Sequence, residues 1–164
     1  MAKIKAGQQA PQFELSDAKG KLQTLAELLG DWTVIFFYPK DMTPTCTVEA
    51  CEFSAAVGDF KKLKAAVIGI SPDDSASHSK FIKAHGLKMT LLADVPGPRG
   101  TPPVCKAYGV WGTKSMYGKT YKGVIRTTFL LDREGVIRNR WEVTRVKGHV
   151  EEVIAAIREA QLSG

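Results

Sequence analysis

Cysteine is scarce in this chain, three in 164 residues, too few and too irregularly placed for the disulfide framework of a small secreted domain. Residues 1–7 hold two lysines but no apolar run behind them, the pattern of neither a secretory signal nor a transit peptide, so a cytoplasmic location is expected. No stretch approaches the roughly 18 uninterrupted apolar residues of a membrane span. Also missing are a Gly-rich dinucleotide fingerprint after a strand and any Cys-x-x-Cys pair, so no bound cofactor and no second redox motif is expected. A zinc site needs about four ligands. Cys105, His78, His85 and His149 show no finger-like spacing to Cys46 and Cys51, and no metal is expected.

The net charge is +6, which raises the question of nucleic acid. Lys61, Lys62, Lys64, Lys80, Lys83 and Lys88 are interleaved with apolar residues at helical spacing, the pattern of a solvated helix face. No nucleic-acid partner is expected, while steering of anions stays open. The length suits one domain over residues 1–164, able to bury most of its apolar surface. There is no internal repeat and no low-complexity segment.

Short β-branched or aromatic runs alternate with longer helical patterns, the signature of an α/β fold. Alternation over residues 11–15, a turn at 17–20 and a second run at 21–25 predict a hairpin capping an edge. The apolar run 33–38, closed by Pro39, predicts a central strand ending where functional loops begin. Thr43 and Pro44 predict a helix start, with Thr at the N-cap and Pro at the first helical position. Phe53, Val57 and Phe60 should face the core, with Gly58 as the bend or break. A second buried strand is predicted over 66–71, a helix over 75–85, a short strand over 91–94 and a Pro/Gly loop over 95–103. Residues 112–123 suggest a mobile excursion. A hairpin over 127–143 and a helix over 149–162 close the chain.

Cys46 falls in the first turn of the helix that Pro44 opens. There it meets the positive end of the helix dipole and backbone N–H groups without intrahelical partners, and both favour the thiolate. Raising the thiolate fraction from a few per cent to near unity gains only about 30-fold, or roughly 2 kcal/mol. An enzyme would also need fixed donors around the sulfur, placed where negative charge develops in a transition state.

Residues 39–46, Pro39-Lys-Asp-Met-Thr43-Pro-Thr-Cys46, resemble the peroxiredoxin active-site pattern of Pro, three residues, Thr, two residues, Cys. The spacing Cys46-Thr-Val-Glu-Ala-Cys51 resembles the resolving arrangement of the PrxQ, or bacterioferritin comigratory protein, subgroup. Segments 10–13, 67–71, 107–111 and 126–132 also sit where that subgroup places them. The resemblance implies a thioredoxin-like fold, with a central mixed sheet flanked by helices and an N-terminal hairpin. It implies a thiol-specific peroxidase reducing hydrogen peroxide and organic hydroperoxides. Cys46 would be the peroxidatic nucleophile passing through a sulfenic acid, and Cys51 the resolving thiol of an intrachain disulfide. Thr43 would position the peroxide, Pro39 would shield the sulfur, and Arg126 would hold both thiolate and reacting oxygens. Thioredoxin, or glutaredoxin, would be the reductant, and the chain would act as a monomer or a weak dimer. Thr45 stands where the family often has Gly.

Geometry adds one requirement to the implied disulfide. Residues five apart on an ideal helix have Cα atoms about 8 to 9 Å apart, and a disulfide needs less than about 7 Å. The first turns around Cys46 must therefore unwind after oxidation. Plainer readings stay beside these. Cys51 can be a packing cysteine, Cys105 a partly buried bystander, a backup resolving thiol or a glutathionylation site, Arg126 a strand-end charge, and the histidines surface or helix-end residues. Two other functions remain: a thioredoxin-like disulfide oxidoreductase, which lacks its Cys-x-x-Cys here, and a redox-sensing binding module that uses the same cysteines without rapid turnover.

Overall fold

Residues 4–163 are described by this computed structural model. The alternating segment after Pro11 forms β1 (Glu14–Asp17), paired antiparallel with β2 (Leu22–Thr24). Asp17 holds the turn between them by accepting from the backbone N–H groups of Lys19 and Lys21. A short α1 (Leu25–Leu28) follows, opened by a capping box between Thr24 and Glu27. Then come β3 (Trp32–Phe37), α2 (Pro44–Ala55), α3 (Val57–Lys62), β4 (Ala65–Ser71), α4 (Ser75–His85), β5 (Thr90–Ala93) and α5 (Pro103–Ala107). The second half adds β6 (Trp111–Met116), β7 (Lys119–Val124), β8 (Thr127–Asp132), β9 (Ile137–Glu142) and α6 (His149–Ser163).

Seven strands make one mixed sheet in the order β2-β1-β5-β4-β3-β8-β9. β3, β4 and β5 run parallel, while β1, β8 and β9 join antiparallel. Alternate residues of β3 point to opposite faces. Val34 and Phe36 pack with Phe53, Phe60, Phe81 and Val153 under α2, α3, α4 and α6. Ile35 and Phe37 pack with Leu25, Cys105 and Tyr108 under α1 and α5. Both faces of the central strand are covered, which is why its sequence is an unbroken apolar run. Gly69 on β4 makes room for this packing: a Cβ there would lie 2.7 Å from both Leu91 Cδ2 and Phe36 Cζ. This is the α/β, thioredoxin-like layering expected, with the N-terminal hairpin at one edge. Among the described residues no helix is long and apolar enough to cross a membrane.

Several expectations are corrected. The break after α2 falls at Ala56, two residues before Gly58, which sits inside α3. The bend brings the Phe53 and Phe60 rings to 6.1 Å, closer than one straight helix would hold residues seven apart. Residues 112–123, expected as a mobile excursion, carry regular secondary structure. β6 and β7 form a two-stranded hairpin of their own, turned by Tyr117 and Gly118 with φ of +52° and +78°. α5, too short for a periodic signal, was not anticipated. His78 is buried inside α4, and His149, at a helix end as expected since it opens α6, is buried too; each is hydrogen-bonded through both ring nitrogens. His85 is exposed and precedes Gly86, the left-handed C-cap of α4, as expected.

Candidate active site

β3 delivers the chain to the C-terminal end of the parallel strands, where Tyr38 is buried and Pro39, half-buried, begins the loop into α2. Thr43 is the N-cap residue by position and Pro44 the first helical residue. The cap differs from the expected one: Thr43 Oγ1 accepts no helical N–H and instead donates to the Lys40 carbonyl at 2.8 Å, closing the loop on itself. The first helical bond runs from the Thr47 N–H to the Thr43 carbonyl. The N–H groups of Thr45 and Cys46 therefore lie upstream of the ladder, at the positive end of the helix.

Cys46 is in this first turn with 2% of its surface exposed. Arg126, immediately before β8, reaches back to it: Nη2 donates to Cys46 Sγ at 3.2 Å and Nη1 to Glu49 Oε1 at 2.6 Å. The planar guanidinium thus serves two acceptors with two fixed N–H groups, an arrangement that stabilises negative charge on the sulfur. Residues 80 positions apart are joined here because β8 lies directly beside β3, which leads into α2. Cys46 and Arg126 meet at this end of the sheet, and Thr43 stands at the N-cap of the helix that carries Cys46.

Glu49 was not singled out from sequence, although a carboxylate three residues after Cys46 shares its helix face and carries that signal. Its side chain is 1% exposed, and Oε2 has no partner among the described residues. Burial pushes its pKa from the ordinary 4.5 up to about 7, against the pull of Arg126. Between pH 4.5 and about 7 the folded chain then keeps a proton that the unfolded chain has lost. Unfolding free energy should therefore fall as pH rises through that window, by on the order of 3 kcal/mol at most. Urea denaturation from pH 4.5 to 7.5 should show the decline in the native protein and a flatter profile in Glu49→Gln; an identical slope in both would assign it elsewhere.

Lys114 is the second residue missed. It comes from β6, donates Nζ to the Val124 carbonyl at 3.0 Å, and shares the electrostatic surroundings of Arg126 and Cys46. Burial and the neighbouring guanidinium lower its pKa, with the Cys46 sulfur opposing.

Cys51 is on the same unbroken α2, half-buried against the cluster that holds Phe53. All three cysteines are free thiols. Cys105 lies on the opposite face of the sheet and is completely buried, more so than expected. Its N–H donates to Asp94 Oδ2 at 2.7 Å, and burial together with the adjacent Asp94 carboxylate drives its thiol far above the ordinary range. Such a thiol is inert. The groove lined by Trp32, Lys62, Arg133 and Arg138 opens at the other end of β3, away from Cys46.

A partly exposed loop, a thiol at a helix N-terminus and a bidentate guanidinium, all at the carboxyl end of a thioredoxin-like sheet, define a thiol-based redox enzyme. The AhpC/TSA family profile matches residues 6–140, and the chain belongs to that family. It is similar to peroxiredoxin Bcp of Bacillus subtilis, 40% identical over 156 residues, covering 95% of this chain and 96% of the relative. It also resembles the Xanthomonas campestris bacterioferritin comigratory protein, in a structural study of its alkyl peroxide reduction: TM-score 0.81, 38% identity, with 90% of this chain and 91% of that one covered. A cysteine-to-serine mutant of Xylella fastidiosa PrxQ superposes with TM-score 0.88 at 29% identity, covering 98% and 99%. The chain is accordingly a thiol peroxidase of the peroxiredoxin class, acting on peroxide with a thiol reductant.

Proposed function

We propose that Cys46 is the peroxidatic nucleophile and Cys51 the resolving thiol, and that the one observation carrying this assignment is the Arg126 Nη2 contact to Cys46 Sγ. The Cys46 thiolate attacks the distal peroxide oxygen. The O–O bond breaks, the proximal oxygen leaves with a proton as water or alcohol, and Cys46 becomes a sulfenic acid. Arg126 stabilises the charge that develops on the departing oxygen. Thr43 spends its hydroxyl proton on the Lys40 carbonyl, which leaves its oxygen as an acceptor for the peroxide O–H. Pro39 shields the sulfur from water.

The Cys51 thiolate then attacks the sulfenic sulfur, the S–O bond breaks and water leaves, giving the Cys46–Cys51 disulfide. Because both residues sit on one continuous helix, the first turns of α2 unwind for this step. An external dithiol, thioredoxin or glutaredoxin, restores the two thiols. Hydrogen peroxide and organic hydroperoxides are the substrates, the latter supported by the alkyl peroxide study of the Xanthomonas protein. The chain works as a single-domain cytoplasmic monomer, since an intrachain bridge needs no second subunit.

Treating the reduced protein with one equivalent of hydrogen peroxide tests the pairing. Peptide mapping should find a loss of two hydrogens, a bridge joining Cys46 to Cys51, and Cys105 alkylatable only after denaturation. Hydrogen exchange should quicken across residues 44–51 on oxidation. A bridge to Cys105, or unchanged protection over that segment, would overturn the scheme.

A further inference from the structure

Beyond the residues that touch Cys46, one buried polar cluster is unaccounted for. Asp41 is in the middle of the 39–43 loop yet only 4% exposed. Its carboxylate accepts from Tyr38 Oη at 2.6 Å on Oδ1 and from Ser77 Oγ at 2.8 Å on Oδ2, and Oδ2 also faces His78 Nδ1 at 2.7 Å. His78 is fully buried, and its other nitrogen, Nε2, faces the Leu92 carbonyl at 2.9 Å. A carbonyl only accepts, so Nε2 carries a hydrogen, and a further proton must lie between Nδ1 and Asp41. The Asp41 backbone N–H donates to Asp73 Oδ2, which also takes the Ser71 hydroxyl. The loop is thus tied to the ends of β4 and β5 and to the start of α4.

The next residue explains what these ties hold. Met42 adopts φ +66°, the left-handed region that a residue with a Cβ avoids. The residue is 54% exposed, so packing of its own does little to fix that conformation. It is flanked by Asp41 on one side and by the Thr43–Lys40 contact on the other. Released from Asp41, Met42 would relax to negative φ and swing Thr43 and the start of α2 away from their places.

We propose that Tyr38, Asp41 and His78 form a positioning clamp that holds the 39–43 loop in the conformation needed to seat peroxide beside Cys46. The clamp rests on Cys46 being the nucleophile. It acts through Thr43 and the helix start, not on the sulfur itself, and this separates two reactions of the same thiol. Peroxide reduction needs a seated substrate; alkylation by iodoacetamide needs only a reactive sulfur.

The test compares the second-order rates of Cys46 with hydrogen peroxide and with iodoacetamide in the full chain, for His78→Gln and Tyr38→Phe, each assayed well below its melting temperature. A misplacement of order 1 Å costs about a hundredfold in rate, so His78→Gln should lose about 10- to 100-fold in the peroxide reaction. Its alkylation rate should stay within about threefold. Tyr38→Phe keeps the ring contacts to Phe36 and Phe81 and removes only the hydroxyl, so it decides the matter if His78→Gln does not fold. It should lose about three- to tenfold, again selectively. Peroxide rates within about twofold of the native protein, or peroxide and alkylation rates falling together, overturn the clamp. Cys46→Ser runs alongside: if it still reacts with peroxide, the nucleophile assignment fails first and the clamp falls with it.

Discussion

Cys46→Ser is expected to reduce peroxide turnover, coupled to a thioredoxin system, by at least about a thousandfold, because a serine hydroxyl is not ionised near neutral pH and is a poor nucleophile without an adjacent base. Nothing else in the site can substitute. Cys51 is half-buried on the cluster side of α2, and Cys105 is enclosed on the far face of the sheet beside Asp94. Cys51→Ser should behave differently: one peroxide equivalent is consumed at close to the native rate, after which the sulfenic acid persists and recycling stalls. Cys105→Ser, whose hydroxyl can keep the donor toward Asp94, should turn over normally. An active Cys46→Ser, or native protein that reacts with peroxide no faster than a free thiol, would point to one of the other two readings, with slow oxidation and an altered surface favouring the redox sensor.

Substituting Arg126 should have the second largest effect. Arg126→Met keeps much of the side chain's bulk but removes both directed N–H donors, and loss of one preorganised donor at a developing charge typically costs about 10²- to 10³-fold in rate, or 2.7–4 kcal/mol. The change also strands Glu49, whose Oε1 has Arg126 as its partner and whose Oε2 has none among the described residues. Breaking a buried pair by removing one member is strongly destabilising, so Arg126→Met should melt earlier as well as react more slowly. Arg126→Lys separates geometry from charge. A single ammonium cannot span Cys46 Sγ and Glu49 Oε1 as a planar fork does, and it should recover stability more than rate. Stopped-flow oxidation at pH 6 and pH 8, beside thermal melts, reads both; a lysine variant as fast as the native protein would leave the fork without a role.

The parts of this molecule that sequence made legible share a cause. β3 is covered on both faces, so its burial is written as a continuous apolar run, and the Thr43–Pro44 start of α2 is a local signal that needs no partner from elsewhere. What stayed hidden depends on distant partners. His78 reads as a polar residue on a helix until Asp41 and the Leu92 carbonyl supply its acceptors. α5 has five residues and is held at its start by Asp94, ten positions upstream of Val104. β6 and β7 carry lysines, threonines and glycines without apolar alternation, and their turn uses Tyr117–Gly118 in place of the Asn-Gly that usually announces it. Glu49 was visible as a carboxylate one turn from Cys46. Its buried pairing with Arg126, 77 residues away, was not.

The interruption at Ala56 sets a limit on how far a chemical event at Cys46 can travel. Helix melting is cooperative along a continuous ladder, and a single long helix through residue 62 would let fraying at its amino end threaten the sheet contacts beneath Phe60. With the ladder broken, α3 has its own nucleus and its own ring in the core. Phe53, stacked on Phe36 at 4.5 Å, pins the last turn of α2 just past Cys51. On the proposed scheme, the break at Ala56 would let the first turns of α2 unwind and rebuild around Cys46 while α3 and the sheet beneath it keep their packing.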